Sequence, residues 1–416
     1  MLLRITALAA LVAGASSHAA TKYDVIDLGT LGGDYSFAYG INNQSQVVGH
    51  SQGGLSGETR LFNNHAFLWS ETSSPALTDL GNLGVDGVFA RAINENGVVV
   101  GFANKTIGTT TPVLHERGFR YTTGGGIEEL PLPSGSVEDM RALGIAQNET
   151  IVGSVEVTVN NALVTRAFVL PFGATEPTVT NALDGDLGIL LRDANSVAGK
   201  AVGFGSLANN QSRAIMVRLT DPATPIELAN LGGQQAQAYA INDVNQIAGF
   251  AWNATNTKVN AVVFQPENSS TPIIDLGHFG ERFNTSVAYD ININGDVVGT
   301  AQTALSGQTQ SAFLYELNAS SPTLKNLNNL IDCSADVTQR WNLISAQAIN
   351  DSGEIVGYGT KGNLTRAFLL RPSSDTTPPL ACPEPPPFED KNEAGSISGY
   401  ALLLALPMLF WRRRKN

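Results

Sequence analysis

Charge is scarce in this 416-residue sequence: 15% of residues are charged, and acids outnumber bases enough to leave a formal charge of −12. Nucleic-acid phosphates reward clustered Lys and Arg, so this balance argues against that partner. It keeps an exported chain soluble and says little more. Glu/Lys pairs four apart are also scarce, which argues against a helical body. Cysteine is limited to Cys333 and Cys382, and no CxxC or Cys/His zinc spacing occurs. An even pair in an exported chain reads as a disulfide, stapling the tail after the last repeat to that repeat. No G-x-S-x-G elbow is present, and His50, His65, His115 and His278 fall in different segments without helical zinc spacing. Nothing therefore assigns a catalytic residue.

A long apolar run is missing too. From Ile397 to Trp411 the chain is mostly apolar for 15 residues, short of the roughly 20 a helix needs to cross a bilayer core, and it stops at Arg412, Arg413, Arg414 and Lys415. At the other end, residues 1–20 combine Arg4, an apolar stretch through Val12 and small residues at Ser17 and Ala19, the form of a cleavable secretory signal. "GSISGYALLLALPMLFWRRRKN" resembles the GlyGly-CTERM type of bacterial sorting tail, although "AGSISG" lacks the usual adjacent glycines. The resemblance implies removal by a rhomboid-type intramembrane protease and passage to the cell surface; the other reading is a plain single-pass anchor. Both put the body outside the cytoplasm.

What the chain does have is glycine, 42 residues of it, and a sentence repeated along its length. "AINENGVVVG" from Ala92 returns as "AINDVNQIAG", "DININGDVVG" and "AINDSGEIVG", each an apolar strand, a polar turn and a second strand closing on glycine. That glycine recurs at Gly49, Gly101, Gly153, Gly203, Gly249, Gly299 and Gly357, 46 to 58 residues apart. A third strand follows each time, as in "HAFLW", "RGFRY" and "SAFLY", and a fourth such as "LTDLG". Four short strands in a unit of about 50 residues predict one blade of a β-propeller. The fourth strand is missing after the seventh repeat, but a copy stands at Tyr23 as "YDVIDLGTLGG". The expected fold is all-β: a seven-bladed β-propeller over residues 21–373, its ring closed by the N-terminal strand, leaving no open sheet edge. Residues 374–394 form a Pro-rich linker and residues 395–416 the tail. "DLGTLGGDYSFAYGINNQSQVVGHS" with "HAFLW" resembles the bacterial extracellular HAF repeat, which implies location and architecture but no general activity.

Two recurrent polar positions invite a functional reading. The asparagines of "IN" (Asn42, Asn94, Asn242, Asn292, Asn350) suggest calcium. The turns are too short for a calcium loop and lack its closing bidentate acid, so a turn role is expected and no cofactor is assigned. The position before "AF" is cationic in five copies: His65, Arg117, Arg166, Arg213 and Arg366. In a propeller these would lie on a ring able to bind carboxylate or sulfate groups of a surface glycan. Alternatively each pairs with a periodic acid such as Asp27, Asp79, Glu129 or Asp275. The sequence thus reads as an exported cell-surface module that binds an acidic glycan or an envelope protein without catalysis. The alternatives are a structural or adhesive spacer and a propeller hydrolase or lyase.

Overall fold

The computed structural model describes residues 22–54, 63–85, 87–108, 113–134, 137–183, 186–207, 211–304 and 309–381. The signal, most of the linker, Cys382 and the C-terminal tail lie outside the described residues. The described chain is all-β and propeller-like: short antiparallel strands follow one another in groups of four. In the first repeat Gly32–Ile41, Val47–Gly53, Asn64–Trp69 and Leu77–Asp79 pair in that order, innermost to outermost. The same order holds from Val88–Ile93 to Gly126–Glu129 and from Ser286–Ile291 to Lys325–Asn326. Between them a twelve-stranded sheet falls into three such groups, joined by single parallel bridges at Thr165–Gly188 and Ser212–Gln235. The fourth repeat, the most divergent in sequence, forms its four strands like the others. The fourth strand of the third repeat, a poor match in the sequence, is the two-residue Thr178–Val179.

The recurring glycine has a steric cause. On the second strand it stands opposite the Phe of "AF", as in Gly49–Phe67, Gly299–Phe313 and Gly357–Phe368. A Cβ on Gly49 would come within 1.9 Å of the Phe37 carbonyl oxygen of the innermost strand, and one on Gly299 within 2.0 Å of that of Val287. No side chain fits there. The facing Phe67, Phe119, Phe168, Phe313 and Phe368 are fully buried, each worth about 2–3 kcal/mol of burial. Ile215 and Val262 replace Phe in the fourth and fifth repeats and are equally buried.

Core clusters lie between successive repeats. Val98 and Val100 pack with Met140 and Phe168, while Ala248 and Val263 pack with Ile291 and Phe313. The first repeat packs on the last in the same way: Ala38 and Phe67 share a cluster with Val356, Ala367 and Leu369.

The last repeat supplies only Trp341–Ile349, Ile355–Lys361 and Leu364–Pro372, and Tyr23–Asp27 pairs antiparallel with the third of these from Tyr23–Pro372 to Asp27–Phe368. Lys22 fastens this junction. Its Nζ lies 2.8 Å from Asp332 and 2.7 Å from Asp375, and its carbonyl accepts the Ser373 N–H at 3.0 Å. The ammonium holds Asp375 down at a pKa of about 2. The start of the linker docks beside it: Cys333 N–H donates to Leu380 O, and Leu380 N–H donates to Asp332 Oδ1, both at 2.9 Å. Cys333 carries no free thiol.

Candidate functional site

The polar turns after the innermost strands meet at the centre. Asn42 Oδ1 accepts the N–H groups of Gln44 (3.1 Å) and Gln46 (2.9 Å), capping its own turn as an Asx motif does. The fourth turn residue is left-handed, a conformation glycine meets without strain at Gly97, Gly295 and Gly353. The Asn42 amide then donates to the carbonyl of Asn94 in the next repeat at 3.0 Å. The pattern continues from Asn94 to Ala146 O at 3.4 Å, Asn242 to Asn292 O at 2.8 Å, and Asn292 to Asn350 O at 3.1 Å. In the fourth repeat Asn195 donates to Ile241 O at 3.4 Å and to Asp243 Oδ1 at 2.7 Å. Ala146 stands where an asparagine would reach from the third repeat to the fourth, and that link alone lacks a side-chain bond among the described residues. Each of these asparagines caps a turn or straps two repeats, a role beyond the turn the sequence suggested.

Inside this collar lies a pocket of about 210 Å³ lined by turn residues of all seven repeats. Isoleucines such as Ile41, Ile93 and Ile349 contribute apolar surface; Asn43, Glu95, Asp243 and Asp351 contribute oxygen. Neighbouring turns interlock here: Asn43 and Asp351 exchange two hydrogen bonds of 2.9 Å, and the Glu95 carboxylate accepts the Asn43 N–H at 3.0 Å. Two further carboxylates are committed to the frame. Asp193 accepts from Ala194 (2.8 Å) and, one repeat on, Ile241 (2.9 Å); Asp290 accepts likewise from Ile291 and Ile349. Burial outweighs those bonds and pushes Asp193 up to about 7 and Asp290 up to about 6. Among the described residues no group of three or more His, Cys, Asp or Glu is placed to hold a metal ion.

One residue before each Asp193-type position, the innermost strand bulges. The pairing register skips Tyr39, Arg91, Leu143, Arg192, Tyr239, Tyr289 and Gln347, one residue per repeat, and all seven are half-buried. A bulge re-aims the skipped side chain. Arg91 lies over the Tyr39 ring at 4.4 Å and Arg192 over the Tyr239 ring at 4.2 Å; Tyr239 meets Tyr289 edge-on at 5.2 Å. His50 stacks on Phe37 and Tyr39 and meets Phe89 edge-on. Burial, with Arg91 second, lowers its pKa to about 3, so it is neutral.

The cationic positions before "AF" lie elsewhere, on the third strands, and three of them face the fourth. His65 Nδ1 is 2.7 Å from Asp79 and Arg117 Nε is 3.3 Å from Glu129; Arg213 Nε is 3.9 Å from Glu227. Asn260, at the same position, donates to Asp275 at 2.5 Å. Arg166 donates to Thr165 O at 3.0 Å and Arg366 to Asp34 O at 2.7 Å. None of the five lines the central pocket. The bulge residues are the ones that sequence reasoning missed: their flanking frame reads A-x-A-I-N only at 90–94, 238–242 and 346–350, too variable to mark them.

These features define an all-β, propeller-like scaffold with its polar convergence at the centre. Residues 223–363, from the end of the fourth repeat to the second strand of the seventh, match the model of a family described as Protein of unknown function (DUF3466). A comparison with curated proteins finds no match. Among solved structures, the chain is similar to a Mycobacterium tuberculosis puromycin-hydrolyzing peptidase at 12% identity and TM-score 0.45, covering 81% of this chain and 51% of the peptidase, about half its length. It is also similar to the WD40 domain of SCAP from fission yeast (10% identity, TM-score 0.39, covering 85% and 98%). The gluconolactonase XC5397 from Xanthomonas campestris is similar at 10% identity and TM-score 0.37, covering 84% and 94%. No helix among the described residues is long and apolar enough to cross a membrane.

Proposed function

We propose that the seven repeats are the blades of one closed β-propeller, completed by Tyr23–Asp27, and that the protein is an exported cell-surface binding module without catalytic activity. The observation that carries this reading is the convergence of all seven turns on one pocket. Asp193 and Asp290, whose raised pKa values would suit acid–base work, spend both oxygens on backbone N–H groups, which favours binding over hydrolysis. The ligand is a surface glycan or an envelope protein. The sorting-tail resemblance supports delivery through the inner membrane, with a rhomboid-type protease acting on residues 395–416. The HAF resemblance supports the extracellular address.

A glycan-array screen of the purified protein, with and without calcium and at two salt concentrations, tests the module reading. A screen for retained envelope proteins completes it. Saturable binding to one ligand class that survives Arg117→Gln and Arg213→Gln supports a central site. Silence in both screens sinks the binding module and leaves a spacer.

A further inference from the structure

We infer that Arg91 and Arg192 form an oxyanion-binding level at the centre of the molecule, which takes a carboxylate or sulfate group of the ligand. This rests on the reading of the centre as the binding site and names its ligand chemistry. The two arginines are set apart by what they lack. Both have an Nε buried without a hydrogen-bond partner, and neither is ion-paired among the described residues.

Other arginines show how this protein treats a guanidinium it uses for structure. Arg141 also stacks on an aromatic ring, Phe102 at 5.3 Å, but its Nε is bound by Glu116. Arg120 faces Phe172 and is held by Glu149. Arg371 is held by Glu354 and Glu71. Arg91 and Arg192 receive the rings without the acid: Tyr39 and Phe102 for one, Tyr239 and Phe204 for the other.

Rings on a guanidinium's faces fix its plane and leave its N–H edge for an oxyanion, which a carboxylate or sulfate meets with two parallel bonds. The nearby carboxylate does not serve. Asp193 follows Arg192 in sequence, yet its two oxygens take the Ala194 and Ile241 N–H groups. His50, beside Arg91, is neutral, and Tyr289 is kept protonated by burial and by neighbouring tyrosines, so among the described residues neither guanidinium has an ionised partner, in a protein of net charge −12.

The test titrates the full protein with D-glucuronate, inorganic sulfate and D-glucose, followed by tyrosine fluorescence and calorimetry at matched ionic strength. Saturable binding of glucuronate, weakened at least tenfold in Arg91→Gln and in Arg192→Gln, is expected. Sulfate competing with it identifies the oxyanion as the recognised group; glucuronate binding that sulfate does not displace assigns the recognition to the sugar and overturns the inference. Arg192→Lys keeps the charge but not the fork, and an intermediate affinity is expected if the glutamine variants do not fold. Glucose binding as tightly as glucuronate, or affinities within twofold of wild type in the arginine variants, overturns the oxyanion level while leaving the binding module standing. No saturable anion binding by the wild-type protein overturns it as well, and the array result then decides separately whether any ligand exists.

Discussion

Asn350 donates from its side-chain amide to the carbonyl oxygen of Asn42 at 3.2 Å, joining two turns that lie 308 residues apart in the chain. Asn350 also accepts the N–H groups of Ser352 and Glu354 and donates to the Glu354 carboxylate. It is 4% exposed, and its partners Asn42 and Glu354 are buried at 2% and 6%, so their bonds to it are not readily replaced by water once it is gone. Asn350→Ala is expected to cost about 2–3 kcal/mol. Urea denaturation checks this, with exposed Asn43→Ala expected to cost under about 1 kcal/mol.

The repeating glycine makes a second prediction. Gly299→Ala puts a methyl within 2.0 Å of the Val287 carbonyl and 2.8 Å of the Phe313 ring, and should cost about 3 kcal/mol. Gly54→Ala meets nothing within 4 Å and should stay within about 0.5 kcal/mol of wild type. Equal losses in the two variants would mean that the close strand approach is not the reason for the period.

His50 gives the fold an acid-sensitive component. Its pKa is lowered to about 3 in the folded protein against 6.5 in the unfolded chain, so its contribution is complete above 6.5 and is lost as pH falls toward 3. Asp193 and Asp290 act in the opposite sense. Their folded pKa values, about 7 and about 6, lie above the unfolded 3.8, so their contribution is complete below 3.8 and is lost as pH rises through the folded values. His50→Phe removes only the first. The stability of wild type relative to this variant should fall by about 2–3 kcal/mol between pH 7 and pH 4.5, read from denaturation midpoints.

Arg117 separates the outer cations from the centre. Its side chain is 5% exposed and lies 3.3 Å from Glu129, which Lys105 also contacts at 2.5 Å. Arg117→Gln should lower stability by about 2 kcal/mol, with Lys105 still neutralising the acid, and leave ligand binding unchanged. Binding that collapses while the melting temperature holds would return the site to the third strands.

Much of this architecture was legible because its causes are periodic. The closing glycine recurs in every repeat because its steric requirement does, and the buried Phe beside it and the Asn of the turn recur in most repeats for the same kind of reason. The absent fourth strand after Arg366 pointed to Tyr23, and the two do share a sheet. The bulge residues were not legible. A bulge changes which way a side chain points without requiring a residue type, and a strand read with period two places Tyr39 and Arg192 like any other alternate residue. Asp193 hid for a related reason: it replaces an alanine or glycine of the frame and looks like decay, whereas it bonds the next strand.

The junction of Tyr23–Asp27 with Leu364–Pro372 also sets an order in time. Synthesis delivers Tyr23–Asp27 long before Leu364–Pro372, so this sheet cannot be finished until the intervening repeats have been made. Meanwhile Tyr23–Asp27 is an orphan, and its unpaired backbone is a template for wrong partners. A chain stopped anywhere before Leu364 keeps that orphan permanently and also loses the Asp375 end of the Lys22 clasp. The fold itself therefore registers whether synthesis has passed Leu364, by joining Tyr23–Asp27 to a strand seven repeats on.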